Sequence, residues 1–219
     1  ALLTLKAGSK AIGASNASFV SGPVKKIGNT EFEFPVGKED VYRPLKISAP
    51  TTSTHAFTAE YFNVGQPFGE NLDTTLAYID DCNYWNLTRN VGSSQVFVSL
   101  SWQSEQCPVK DTTYLKIASW YNDNWNDKGH GTISGNYTSG KMTTTATNSA
   151  FEHFIFAFDL NIVQTIQPDE YITADGFVQN IGQLLGTDSA AHPEILYYGS
   201  AFNTNLFLAD SVFSYVFMS

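Results

Sequence analysis

The feature that most constrains the fold is one stretch, residues 82–107, which begins and ends with the only two cysteines of the chain. Side chains alternate in its second half: Val96, Val98, Leu100 and Trp102 share one parity, and Phe97, Ser99 and Ser101 share the other. A period of two is that of a strand with one face in the core. Residues 84–89 are aromatic-rich and strand-like, and residues 90–94 are turn formers. The pattern predicts a β-hairpin with its open end near the cysteines.

The two cysteines are compatible with one disulfide or with two buried thiols. Neither belongs to a metal-binding or redox motif, which favours a Cys82–Cys107 disulfide. Pairing about the turn would set Cys82 opposite roughly residue 102. The segment from Gln103 to Cys107 therefore has to curl back for the bond to form.

Composition indicates an exported protein. Aromatic residues make up 14% of the chain and charged residues 15%, which is usual for a secreted β-protein rich in Thr, Ser, Asn and Gly. The net charge of −9 argues against nucleic acid or an anionic membrane as partner, since either would favour a basic face. No stretch is long enough to span a membrane, and no signal peptide is visible. We expect the mature form of an extracellular or cell-surface protein.

Short strand-like segments recur about every ten residues, with turn formers between them. No helical period is convincing before residue 160, and residues 175–185 are the only candidate for a short helix. The sequence predicts an all-β fold with little helix: a β-sandwich, Ig-like or jelly-roll-like, in one or two packed modules. Residues 1–158 would form the main region. Residues 159–219 would form a β extension packed on the same domain or on a neighbouring subunit.

Several motifs follow one another in a characteristic order. They are the segments 19–28 (FVSGPVKKIG), 32–37 (FEFPVG), 42–45 (YRPL), 57–62 (FTAEYF), 84–89 (YWNLTR), 92–94 (GSS), 98–102 (VSLSW) and 115–121 (LKIASWY), with Cys107 and Trp125. This string resembles a β-domain repeated in large surface proteins of Bacteroidota, exported by type IX secretion and often adhesive. The resemblance covers residues 3–158 and brings no catalytic residue. Residues 159–219 depart from the family pattern, which continues there with further domains and a secretion-signal domain.

The sequence favours a non-enzymatic protein without cofactors. The four histidines are scattered and lack the spacing of a zinc site. The acidic pair Glu31/Glu33 shares a strand face and could serve glycoside hydrolysis, but a solvated strand face is the simpler interpretation. Asp123 and Asp127 could ligate calcium through oxygen, although a hairpin turn explains the same cluster.

Carbohydrate binding is the alternative function. Trp120 and Trp125 flank a turn and could form an exposed platform for surface glycans, whereas Trp102 alternates with core residues. Several triplets have Asp first, Ser or Thr second and any residue third, and they resemble the O-glycosylation signal of these bacteria. They would modify Thr74, Thr112, Ser189 and Ser211, and the protein would then be a glycoprotein.

The leading hypothesis is a structural or adhesive subunit that forms homo-oligomers or filaments. Both ends of the chain are apolar, and the run from Leu206 to Met218 has apolar residues on both strand faces. We expect an assembly strand that carries Leu206, Leu208, Val212, Val216 and Met218. Such a strand could pair with another subunit, or complete its own sandwich.

Overall fold

The computed structural model describes residues 1–103, 107, 109 and 112–160, and beyond these only the strand segments 170–172, 178–180, 204–207 and 214–217. The chain divides into two compact units, Ala1–Leu160 and Asn161–Ser219. The sequence-based boundary between the two regions lies at residues 158/159.

The first unit contains strands β1 to β15. Their bounds are β1 Leu3–Leu5, β2 Val24–Ile27, β3 Phe32–Phe34, β4 Gly37–Lys38, β5 Val41–Tyr42, β6 Leu45–Ile47, β7 Ala56–Phe62, β8 Leu76–Ile79, β9 Tyr84–Val91, β10 Val98–Gln103, β11 Leu115–Tyr121, β12 Asn124–Asp127, β13 Ile133–Gly135, β14 Ser139–Thr143 and β15 His153–Asp159.

Two sheets form the body of this unit. The larger has the order β1-β2-β7-β9-β15-β11-β12, with β8 pairing the end of β15, and the smaller has the order β13-β14-β10-β6-β3. All neighbours are antiparallel except β1 and β2, which run parallel. No α-helix occurs in the part of the first unit that is described. The predicted all-β, sandwich-like fold is confirmed.

The main core consists of the apolar strand faces that alternation selects. The residues of one parity in β10 and just before it are fully buried: Val96, Val98, Leu100 and Trp102 are at most 1% exposed. Phe97, of the other parity, is 38% exposed. Trp85 and Leu87 of β9 belong to the same core cluster, so both flanks of the 90–95 turn face one interior. The predicted parity is confirmed.

The predicted hairpin is wrong. β9 pairs with β7 and β15 in the larger sheet, whereas β10 pairs with β6 and β14 in the smaller sheet. The turn at 92–95 therefore carries the chain across the sandwich as an arch. Both strands have a strongly apolar face, and these faces bury each other only when the strands lie in opposite sheets.

The Cys82–Cys107 disulfide joins the far ends of this arch. The Cα atoms are 5.8 Å apart, within the usual range for the bond. Cys82 lies just before β9 and Cys107 after β10. The bond therefore links the segment that enters the larger sheet to the segment that leaves the smaller sheet.

The second unit contributes two described hairpins. β16 (Glu170–Ile172) pairs with β17 (Val178–Asn180), and β18 (Thr204–Phe207) pairs with β19 (Ser214–Phe217). Strand β17 lies inside the interval for which the sequence suggested a short helix. The run from 206 to 218 is therefore not one strand: Leu206 and Val216 lie on the two arms of a hairpin. Leu208, Val212 and Met218 lie outside the described residues.

We predict that the double variant Cys82→Ser/Cys107→Ser is less stable by about 3.5 kcal/mol, because the bond closes a loop with a sequence separation of 25 residues and so restricts the unfolded chain. Urea unfolding followed by tryptophan fluorescence measures this difference. Reduced wild-type protein should match the variant. Equal stability of the oxidised and reduced proteins would contradict the prediction.

Candidate functional site

The proposed tryptophan platform is largely covered: Trp120 is half-buried and Trp125 is buried. Trp120 and Trp125 are paired directly across β11 and β12 on the outer face of the larger sheet. Trp125 is 0% exposed, and its indole Nε1 donates to the Gly69 carbonyl over 3.0 Å. Trp125 belongs to a second apolar cluster with Tyr84 and Ile155.

The loop between β7 and β8 covers this face. Phe68 stacks on Trp120 with ring centroids 5.9 Å apart, and Leu72 packs on the same cluster. Gly69 lies so close that an added Cβ would be 2.8 Å from the Trp120 ring. The prediction of an exposed Trp120/Trp125 pair is therefore wrong, because the packing of Phe68 and Leu72 on these rings removes apolar surface from water.

Asp127 is an ion-pair partner. Its Oδ2 lies 2.7 Å from Lys116 Nζ, and the same ammonium lies 2.8 Å from Asp159 Oδ2. The Thr75 hydroxyl donates to Asp127 Oδ2 over 2.6 Å, and the Gly129 amide donates to Asp127 Oδ1. These contacts bind β11, β12 and β15 together.

The calcium hypothesis for Asp123 and Asp127 has no geometric support. Asp123 lies in the turn with a positive φ of 55°, and its described contact is a carbonyl that accepts from Asn71. Within the described ranges, no group of three or more His, Cys, Asp or Glu side chains could hold a metal ion.

The acidic pair Glu31/Glu33 is neutralised by lysines. Lys46 Nζ lies 3.0 Å from Glu31 Oε2, and Lys141 Nζ contacts Glu33 Oε2. The hydroxyl of Tyr42 also donates to Glu33 over 3.4 Å. These carboxylates form the polar outer face of β3, as the simpler interpretation predicts.

Ser94 and His55 are in contact, as a nucleophilic serine and its general base would be. His55 Nδ1 contacts Ser94 Oγ, which also accepts from the Thr51 amide over 2.8 Å and lies 2.9 Å from the Thr51 hydroxyl. Ser94 is only 2% exposed. The arrangement ties the β6–β7 loop to the arch, and the buried oxygen is poorly placed for attack on a substrate.

Two titratable groups lie in perturbed surroundings. Burial raises the pKa of Asp80 to about 6; the Cys82 amide opposes this and the Asp81 carboxylate adds to it. Burial lowers the pKa of His153, whose ring stacks on Phe68 at 3.9 Å between centroids. Neither residue lines the grooves that contain Phe97 and Tyr121.

The outer face of the smaller sheet carries an open groove of about 560 Å³. Phe97 is exposed there, and hydroxyl side chains surround it: Ser48, Ser99, Thr132, Thr143 and Thr145. The alternation around Trp102 already placed Phe97 and Ser99 on the outward face. The sequence alone did not predict the groove, because its lining also includes residues of β6 and β14, which become neighbours of β10 only in the folded sheet.

The predicted O-glycosylation positions differ in exposure. Thr74 is exposed and Thr112 is half-buried, whereas Ser189 and Ser211 lie outside the described residues.

In the described residues, no helix is long and apolar enough to cross a membrane. No family model, no curated protein and no solved structure matches the chain.

We predict that Lys116→Met lowers the free energy of unfolding by about 2 kcal/mol, because Asp127 and Asp159 would face each other without their shared cation. Thermal or urea unfolding at low ionic strength measures the loss. Lys38→Met, at an exposed position, is the control and should change little. A Lys116 variant as stable as wild type would contradict the role of this ion pair.

We predict that Asp80→Asn stabilises the protein above pH 6 by about 2 kcal/mol. The folded pKa of about 6 exceeds the ordinary 3.8, so the folded chain binds a proton that the unfolded chain has lost. The contribution of Asp80 to the free energy of unfolding of the wild type therefore falls as pH rises from 3.8 to about 6. Unfolding curves from pH 4 to 8 measure it. Glu70→Gln, on the surface, should keep the wild-type slope, and an unchanged slope in Asp80→Asn would refute the assignment.

Proposed function

We propose that the protein is a non-enzymatic structural or adhesive β-domain of the cell exterior, and that copies associate through the edge strand β1. The observation that carries this proposal is the state of that edge. β1 ends the larger sheet, with β2 as its one strand partner among the described residues. Leu2 and Leu3 are 54% and 42% exposed. An open edge with apolar side chains is a template for another strand.

The opposite edge of the same sheet is closed. Residues 71–73 run along β12: the Trp125 amide donates to the Asn71 carbonyl over 2.8 Å, and the Asp73 amide donates to the Trp125 carbonyl over 2.9 Å. The contrast favours β1 as the edge at which a further strand can add.

The segment that carries β1 is held in place on the domain. Lys26 is 3% exposed, and its Nζ donates to the carbonyls of Lys6 and Ser9 over 2.8 and 2.9 Å. Leu5 packs against the main core. An ordered edge loses less conformational entropy on pairing than a disordered one.

Two further points support the proposal. The inter-sheet disulfide suits an oxidising exterior, and the ordered motifs between residues 3 and 158 resemble the adhesin-like domains of Bacteroidota exported by type IX secretion. Homo-oligomers or filaments are the assemblies this edge would give, since a head-to-tail contact that does not close extends indefinitely. The apolar hairpin of β18 and β19 is the second candidate for such a contact.

A carbohydrate-binding module is the alternative function. Because Trp125 is buried, the Trp120/Trp125 pair does not offer a glycan platform. The groove around Phe97 is the surface that favours carbohydrate binding.

We predict that Leu3→Lys shifts the protein from assemblies to monomer, because a charged side chain on an edge strand opposes addition of another strand. Light scattering after size exclusion, over a hundredfold range of concentration, and negative-stain microscopy measure the shift. Leu3 is exposed, so the fold should persist.

Val64→Lys is the matched control, since it places the same charge on another exposed apolar position, 58% exposed in the β7–β8 loop. It should assemble like wild type. A wild-type protein that is monomeric at every concentration, or a Leu3→Lys variant that still assembles, would overturn the role of β1.

A further inference from the structure

The groove on the outer face of the smaller sheet has an ordered arrangement of side chains. Ser99 of β10 is in register with Lys46 of β6 on one side and Thr143 of β14 on the other. Just beyond the ends of these strands, Ser48, Phe97 and Thr145 line the same groove. An exposed aromatic ring thus shares one groove with several hydroxyl side chains.

The hydroxyl groups are available to a ligand. Thr132 and Thr145 are exposed, and their hydroxyls make no hydrogen bond within the described residues. Ser48 Oγ accepts from the Phe97 amide over 3.0 Å and keeps its own proton to donate. Ser99 and Thr143 hydroxyls lie 2.8 Å apart and share one hydrogen bond. Hydroxyls both donate and accept, as the hydroxyls of a sugar do.

The charge of the groove is balanced. Its two ionic residues are Glu31 and Lys46, which pair with each other over 3.0 Å. The groove therefore has no net charge, although the chain carries −9, and this suits an uncharged ligand better than an anion.

A second groove of about 710 Å³ shares Thr145 with the first. Tyr121, 42% exposed, lies in its lining, and the ionic residues of that lining are Asp73, Asp127 and Lys128. Each groove has the size of a site for a small ligand. Two exposed aromatic rings, one in each of two adjoining grooves, suit a chain of repeating units better than a single small molecule.

We propose that these two grooves bind a neutral glycan chain, with the C–H face of one pyranose ring on Phe97 and of another on Tyr121. Sugars have an apolar face and a rim of hydroxyls, and Phe97 with its flanking hydroxyls matches both. A protein partner would favour a contiguous apolar centre, whereas the apolar part of the first groove is mainly one phenylalanine. This site is separate from β1 and does not depend on self-association.

Affinity electrophoresis through gels containing a soluble β-glucan, xylan, galactomannan or the acidic polymer alginate tests the proposal. Wild type should be retarded by at least one of the neutral polymers. Phe97→Ala should bind it about fivefold more weakly or worse, the effect of losing one stacking contact. Phe97→Trp should restore retardation, and Tyr121→Ala should weaken binding of a hexasaccharide of the retained polymer.

Tyr137→Ala is the matched control, because Tyr137 is a 67% exposed aromatic residue that lines neither groove. It should behave as wild type, and all variants should share the wild-type melting temperature. The proposal fails if none of the neutral polymers retards the wild type, if alginate alone does, or if Phe97→Ala and Tyr137→Ala behave alike. An unchanged Tyr121→Ala would exclude the second groove from the site.

Discussion

Edge-to-face packing of Phe156 on two tryptophans holds the sandwich together. Phe156 of β15 contacts Trp85 in its own sheet and Trp102 in the opposite sheet, each with ring centroids 5.8 Å apart. Both indole N–H groups are satisfied, by the Arg43 and Asn136 carbonyls over 2.8 Å. Losing one such ring typically costs about 3–5 kcal/mol, comparable with the roughly 3.5 kcal/mol expected of the disulfide across the same arch.

This packing decides which side chains are offered to solvent. Because Val96, Val98 and Trp102 face the interior, Ser99 of β10 and Phe97 just before it face outward. On the larger sheet the outward rings of Trp120 and Trp125 are instead covered by the β7–β8 loop. The two sheets therefore differ: one outer face is closed by the chain itself, and the other carries the groove proposed for glycans.

The sequence predicted the all-β class, the parity of residues 96–102 and the disulfide, since each depends on local alternation or on having two cysteines. It failed where the outcome depends on distant partners. Residues 84–102 read as a hairpin because the turn is local, whereas the partners of β10 come from β6 and β14. Trp125 read as exposed because its cover, Phe68, lies in a Gly- and Asn-rich loop. Phe68 and Leu72 are apolar residues within that loop, and they were the sequence signal that the loop packs on the Trp125 cluster.

Strands β9 and β10 form an arch between the two sheets, which turns Phe97 outward and places the disulfide across the sandwich. Nuclear Overhauser effects in labelled protein test it most directly. The arch predicts contacts from the Trp102 ring to the Phe156 ring and ladder contacts of Leu100 with Leu45 and Met142. Ladder contacts between residues 84–91 and 98–103, the signature of a hairpin, would contradict it.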